Sequence, residues 1–166
     1  MIFVTVGTHE QSFERLVKEI DELKGNGAIN EDVIIQKGYT DYEPKNCKAY
    51  KLIGYDDMQK YMKEARIIIT HGGPASFIAP LSMGKVPIVV PRQKDFNEHV
   101  NNHQVEFVKQ VVARDNTLIP VYDIKDLKEK ILNYDNIVKD MKENYKSNNK
   151  EFNRKLENEI KSLFKE

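Results

Sequence analysis

The sequence predicts an α/β domain, a parallel sheet with helices on both faces, followed by a long C-terminal helix. Three observations predict it. Short β-branched runs alternate with stretches whose apolar residues recur at helical spacing. Two of those runs, Ile67-Ile68-Ile69 and Val86 to Val90, are apolar on both faces, as central parallel strands are. Glycine-bearing turns follow strand ends, the edge where such sheets hold ligands.

The elements follow in order. Ile2 to Val6 reads as a strand closed by Gly7. Phe13, Leu16, Val17, Ile20 and Leu23 then share one helical face, and Gly25-Asn26-Gly27 stops that helix. Val33 to Gln36 is a second strand, and Ala49 to Ile53 a third, across a polar stretch from Gly38 to Asn46. Asp56 or Asp57 caps a helix carrying Met58, Tyr61, Met62 and Ala65. A strand from Arg66 to Thr70 turns through His71-Gly72-Gly73-Pro74 into a helix that ends at Gly84, with Pro74 near its first position. The Val86 to Val90 strand ends at Pro91, and Arg92 to Asn97 leads to a helix through Val100, Gln104, Phe107, Val108 and Val111. Asp123 with Asp126 resembles a capping box before Ile124, Leu127 and Ile131. From Asp135 a charged helix runs to about residue 165, with an apolar stripe of Ile137, Met141, Tyr145, Phe152, Leu156, Ile160 and Leu163. That stripe reads as packing on the domain, with docking of a partner subunit as the sharper alternative. No repeat or linker interrupts the chain, so residues 1–166 read as one domain with a core over residues 1–134.

Composition excludes several classes. The 166 residues suit one domain, and 40% hydrophobic with 31% charged residues is a globular balance. Lys+Arg and Asp+Glu both number 26, so no net charge drives nucleic-acid binding. Cys47 is the only cysteine, which excludes an intrachain disulfide and a Cys-based zinc site and favours a reducing compartment. MIFVTVGTHE lacks the basic segment and long apolar run of a signal peptide, and Pro87 to Pro91 falls far short of the roughly 20 residues that span a bilayer. A cytoplasmic chain is expected, with any membrane contact peripheral or through a partner.

Three turns carry the chemistry. In His71-Gly72-Gly73-Pro74-Ala75-Ser76, a glycine pair between a buried strand and a helix exposes backbone N–H groups, and the helix start adds partial positive charge. That pairing suits a phosphate or diphosphate. A tight turn that merely needs glycine explains the same motif equally well. No GxxxxGK[ST] or GxGxxG occurs, so neither a P-loop nor a dinucleotide fingerprint is present. Gly7-Thr8-His9-Glu10-Gln11-Ser12 offers Thr8, Gln11 and Ser12 to an anion, or to helix capping. Pro91 to Gln104 is dense in groups that both donate and accept, as sugar hydroxyls require, though a solvated helix start looks similar. His99 and His103, four apart, fit one helical face, but without HExxH or a third ligand no metal is expected.

Taken together, FVTVGTHEQSFERL, LIGYDDMQKYMKEARIIITHGGPASF and MGKVPIVVPRQKDFNEHVNNHQ resemble the C-terminal, donor-binding lobe of GT-B glycosyltransferases of family 28. The resemblance covers about residues 3 to 110 and is strongest to the small subunits of split enzymes. These are the catalytic subunit of the eukaryotic dolichyl-diphosphate UDP-GlcNAc transferase and, most closely, bacterial exopolysaccharide and capsule subunits of the EpsF or PssE type. It implies a Rossmann-like lobe, one of the two that a full GT-B enzyme needs.

The resemblance also implies roles. Tyr55 falls where the family holds the uracil ring, and Gly72, Gly73 and the following helix start where it holds the diphosphate. Asn97 and Glu98 fall at the donor-sugar contacts, and Gly7 and Thr8 at the glycine turn facing the cleft. His71, Ser76 and Gln104 complete the expected donor-binding set. Ala79 stands where the family carries a ribose-binding glutamate, a departure from its pattern.

The implied activity is inverting, metal-independent transfer of a hexose, galactose as the first expectation, from a UDP-sugar to a lipid-diphosphate-linked sugar. No cofactor is expected. His9, Glu98 and His99 are the candidate general bases within the chain. A membrane-anchored partner is expected to supply the acceptor lobe and to hold the chain at the inner face of the cell membrane. A non-catalytic nucleotide-sugar-binding or regulatory subunit is the alternative, and the polar density of residues 92–104 argues for catalysis.

Overall fold

The computed structural model describes residues 1–143 and 149–164. Its sheet comprises β1 (Ile2–Thr5), β2 (Val33–Gln36), β3 (Lys48–Tyr50), β4 (Ile67–His71), β5 (Ile88–Val90) and β6 (Ile119–Pro120). The spatial order is β3-β2-β1-β4-β5-β6, and every adjacent pair is parallel. Chain order reverses between β1 and β4, whose registers pair Thr5 with Thr70. Loops leaving two such neighbours part to opposite sides, and the crevice between them is where open α/β sheets take ligands.

The apolar runs are sorted by parity, because successive strand side chains point to opposite faces. Ile2 and Val4, Ile67 and Ile69, and Ile88 and Val90 pack with Phe13, Leu16, Val17 and Ile20 of the first helical stretch. Phe3, Ile68 and Val89 face the other way, onto Met62, Phe77, Leu81 and Val108. Both sets are buried, which is why these strands carry no polar face.

α1 (Glu14–Gly25), α5 (Leu127–Leu132) and α6 (Tyr134–Glu143) cover the first face. α2 (Tyr55–Glu64), α3 (Pro74–Ser82) and α4 (His103–Arg114) cover the second. Pro74 occupies the first turn of α3, where its missing N–H costs nothing. Gly84, at φ 73, turns the chain out of that helix.

The expected third strand, Ala49 to Ile53, is Lys48–Tyr50, and the expected Val86 to Val90 strand is shorter, Ile88–Val90. Three further differences concern helices. Gly54, and neither Asp56 nor Asp57, is the N-cap of α2, so both aspartates sit inside its first turn. Val100 precedes α4 and is 68% exposed. The expected single C-terminal helix is two. Met141 of α6 packs on the first face, whereas α7 (Asn149–Phe164) packs on α3 and places Leu163 on the second. One straight helix cannot reach both faces of a sheet. Tyr145 and the side chains of Phe152 and Leu156 lie outside the described residues.

Candidate functional site

An open cleft of about 690 Å³ lies at the C-terminal edge of the sheet, over the β1/β4 reversal. Ile53, Tyr55, Met58, Gln59 and Met62 form its α2 wall, Pro74, Ala75, Ser76 and Ala79 its α3 wall, and Thr5, Gly7, Gln36 and His71 its floor. Thr8, His9 and Gln104 complete the lining. The volume is in the range of small-molecule sites, roughly 300–1,000 Å³. No carboxylate lines it. One wall is therefore apolar and aromatic, with Tyr55 77% exposed, and the other presents a helix N-terminus.

His71, the last residue of β4, organises the floor. A Cβ on Gly7 would stand 2.5 Å from its Nε2, and one on Gly73 2.5 Å from its Cε1. The ring thus fits between two residues that have no side chain, and Gly7 also holds φ 79. The Gly73 N–H donates to His71 Nδ1 at 3.1 Å. An accepting Nδ1 assigns the proton of the neutral ring to Nε2. Burial, with the Arg92 charge added, pushes the imidazole down to about 4, so it stays neutral at pH 7.

Gln104 braces this turn from α4. Its Oε1 accepts from the N–H groups of Gly72 at 3.1 Å and Arg92 at 3.0 Å, and its Nε2 lies 3.4 Å from His71 Nδ1. A Cβ on Gly72 would meet Pro91 Cβ at 2.9 Å and Gln104 Cβ at 3.0 Å, so glycine lets the β4 and β5 exits close together. Ser76 turns its hydroxyl back onto the carbonyls of Gly73 at 2.6 Å and His71 at 2.7 Å.

These bonds correct one expectation. The N–H groups of Gly72 and Gly73 are already committed to Gln104 and His71, so the glycine pair shapes the turn and does not itself offer two free donors. At this turn, the donors left for an anion are His71 Nε2–H and the first-turn amide of Ala75, Pro74 having none.

Glu98 requires a larger correction. It is 2% exposed and does not line the cleft. Arg15 Nε donates to its Oε2 at 2.9 Å and Arg15 Nη2 to its Oε1 at 2.9 Å, while the Gln93 N–H donates to Oε1 at 3.1 Å. A carboxylate so enclosed is available neither as a base nor as a sugar contact. His99 is also outside the lining. Its ring stacks on His9, centroids 4.8 Å apart at 12°, and its Nδ1 accepts from the Asn101 N–H at 3.4 Å. His99 lies in the turn before α4 and His103 is the first residue of that helix, so they do not share a helical face. Asn97 is exposed, in a left-handed conformation at φ 57, and its carbonyl accepts from Gln11 Nε2 at 3.1 Å. Gly7, Thr8, His9, Tyr55, His71, Gly73, Ser76 and Gln104 do come together in the cleft.

Arg92 was not singled out by sequence reasoning. It is fully buried and donates to the carbonyls of Val6 at 2.8 Å, Gln11 at 2.8 Å and Glu98 at 3.0 Å. It therefore ties the turn after β1 to the turn after β5. The available signal was a lone arginine directly behind an apolar strand and Pro91. Among the described residues, no group of three or more His, Cys, Asp or Glu side chains is placed to hold a metal, and no helix is long and apolar enough to cross a membrane.

A parallel sheet with a cleft at its reversal point, one wall aromatic and the other a helix start, defines a Rossmann-like α/β lobe with its candidate ligand site at the sheet's C-terminal edge. Residues 1–160 match the model of the glycosyltransferase family 28 C-terminal domain, and the chain belongs to that family. It is 31% identical over 122 residues to the UDP-N-acetylglucosamine transferase subunit ALG13 of Homo sapiens, which covers 66% of this chain and 10% of that protein. The Mus musculus protein of the same name is 30% identical over 118 residues, with the same coverage. The chain thus spans about a tenth of the length of these curated relatives. Among solved structures, the glycotransferase of kitacinnamycin shares the fold, with a TM-score of 0.57 at 13% identity over 98% of this chain and 38% of that one.

Proposed function

We propose that the chain is the donor-binding lobe of a two-part glycosyltransferase that takes a UDP-sugar and works without a divalent metal. One observation carries the reading: His71, set between Gly7 and Gly73, meets the first turn of α3 at the floor of a cleft whose facing wall is Tyr55, Met58 and Met62. The uracil ring suits the apolar wall, with Tyr55 as its exposed aromatic face. The diphosphate suits the α3 start, where His71 Nε2–H, the Ala75 amide and the helix dipole oppose the charge that builds as UDP leaves. A cleft without carboxylates repels no diphosphate.

In this reading the acceptor hydroxyl displaces UDP from C1 with inversion. The acceptor is a lipid-diphosphate-linked sugar, presented by a membrane-anchored partner subunit that holds this chain at the membrane. The VPRQKDFNEHVNNHQ segment favours bacterial exopolysaccharide or capsule synthesis, with a hexose such as galactose as donor. The ALG13 relatives add N-acetylglucosamine to the donors worth testing. A second reading, a nucleotide-sugar-binding subunit without catalysis, gains from the enclosure of Glu98.

Calorimetric titration in EDTA with UDP, GDP and a panel of UDP-hexoses tests the proposal. Saturable UDP-selective binding, weakened about tenfold or more by Ala75→Trp at the exposed rim, is the expected result. Equal affinity for GDP, or unaltered binding in the variant, contradicts it.

A further inference from the structure

Among the described residues, one basic nitrogen of the cleft lining is left unclaimed by any hydrogen bond, and its identity follows from the hydrogen-bond directions around Gln11. A backbone carbonyl only accepts, so the 3.1 Å contact from Gln11 to the Asn97 carbonyl identifies that end of the carboxamide as the NH2 group. Gln11 Oε1 is then the atom 2.8 Å from His9 Nε2. An amide oxygen also only accepts, so His9 Nε2 carries the proton and Nδ1 of the neutral ring keeps its lone pair. His99, stacked 4.8 Å away, fixes the plane of the His9 ring, and Arg92 holds the Gln11 backbone through its carbonyl at 2.8 Å.

The other candidate bases are committed. His71 Nδ1 takes the Gly73 N–H, Glu98 is enclosed by Arg15 and Gln93, and His99 Nδ1 takes the Asn101 N–H.

We propose that His9 Nδ1 accepts the proton of the acceptor hydroxyl, and that Gln11 is the positioning residue that sets the His9 tautomer. The inference rests on the donor-lobe reading. In the step, the acceptor oxygen forms a bond to C1 of the donor sugar, and the bond from C1 to the β-phosphate oxygen breaks with its electron pair going to UDP. The hydroxyl proton passes to His9 Nδ1 and then to water. The carboxamide does for this histidine what an orienting third group does in other base-assisted sites, holding one nitrogen as donor so that the other stays basic.

The test uses the full chain with membranes that carry its acceptor-lobe partner, following radiolabel from the UDP-sugar into lipid extract, with UDP affinity measured in parallel. His9→Gln is expected to bind UDP within about threefold of the parent and to lose about a hundredfold or more in transfer, the range of general-base catalysis. His9→Phe, which keeps a ring on His99, is expected to behave alike. Gln11→Leu is expected to lower kcat at unchanged KM for the UDP-sugar. Gln11→Glu adds a charge that favours the protonated ring, so the acid limb of the transfer rate moves to higher pH. Transfer by His9→Gln or His9→Phe within about threefold of the parent overturns the proposal, as does an unmoved acid limb in Gln11→Glu. Failure of the parent chain to bind UDP overturns the donor-lobe reading and this inference with it.

Discussion

The Arg15 guanidinium grips the Glu98 carboxylate with two parallel bonds of 2.9 Å, joining α1 to the turn after β5. Neither side chain is much exposed, at 10% for Arg15 and 2% for Glu98. Arg15 also donates to the Pro91 carbonyl at 3.2 Å and lies 4.6 Å over the Phe96 ring. Glu98 is therefore an anchor for the loop beside the cleft, and its chemistry is structural.

Removing one partner of such a pair leaves the other charge buried and alone, at a cost of about 3–5 kcal/mol. Glu98→Ala is expected to lower the denaturant midpoint accordingly. UDP affinity, measured where the variant is still folded, is expected to stay within about threefold. A large affinity loss at unchanged stability would return Glu98 to the sugar site.

Gly7 and His71 are coupled through space. Gly7→Ala places a methyl 2.5 Å from His71 Nε2 and forces alanine into φ 79, which alone costs about 1–2 kcal/mol. His71→Ala clears the clash and leaves the backbone strain. A stability double-mutant cycle is expected to show a favourable coupling of about 1 kcal/mol or more. Additive losses would show that the ring does not pack on Gly7.

The cleft wall on α2 is held from behind. Lys85 Nζ donates to the carbonyls of Met62 at 2.7 Å, Lys63 at 2.6 Å and Ala65 at 2.8 Å, capping the C-terminal end of the helix that carries Tyr55 and Gln59. A cation there contributes about 1 kcal/mol. Lys85→Met is expected to cost about that much in thermal unfolding and to weaken UDP binding modestly, with Lys85→Arg recovering part of both.

Two buried groups give the fold opposite pH responses. Burial pushes Glu159 up to about 7, against the hydrogen bond it accepts from Thr117. A raised carboxyl contributes stability that is complete below 4.5 and is lost as pH rises through about 7. His71, pushed down from 6.5 to about 4, contributes stability that is complete above 6.5 and is lost as pH falls toward 4. Between pH 5 and pH 8 the parent is expected to lose stability relative to Glu159→Gln, on the order of 3 kcal/mol at most. Parallel stability curves for the two proteins would show that Glu159 ionises freely.

Much of the fold was legible because strand and helix periodicities are local. Ile67-Ile68-Ile69 reads as a central strand without knowing what covers it, and Phe13 to Leu23 reads as one helix face. The face a helix covers is not local. Ile137, Met141 and Leu163 continue one spacing in the sequence yet pack on opposite sides of the sheet. In the site, the glycine turns were legible because few other residues permit them. The enclosure of Glu98 is not legible because its partner lies 83 positions away, and no periodicity announces an ion pair at that distance. The committed amides of Gly72 and Gly73 were hidden likewise, since Gln104 reaches Gly72 from α4.

Amide proton–nitrogen NMR spectra of the chain titrated with UDP in EDTA report, residue by residue, whether the cleft at the β1/β4 reversal takes the nucleotide. Saturable shifts are expected, concentrated at the cleft-lining residues Gly7, Thr8, His9, Tyr55, Met58, Gln59, His71, Gly73, Ala75, Ser76 and Gln104. No shifts at millimolar UDP, or shifts confined to the opposite sheet edge around Glu31 and Arg66, would contradict the donor-lobe reading.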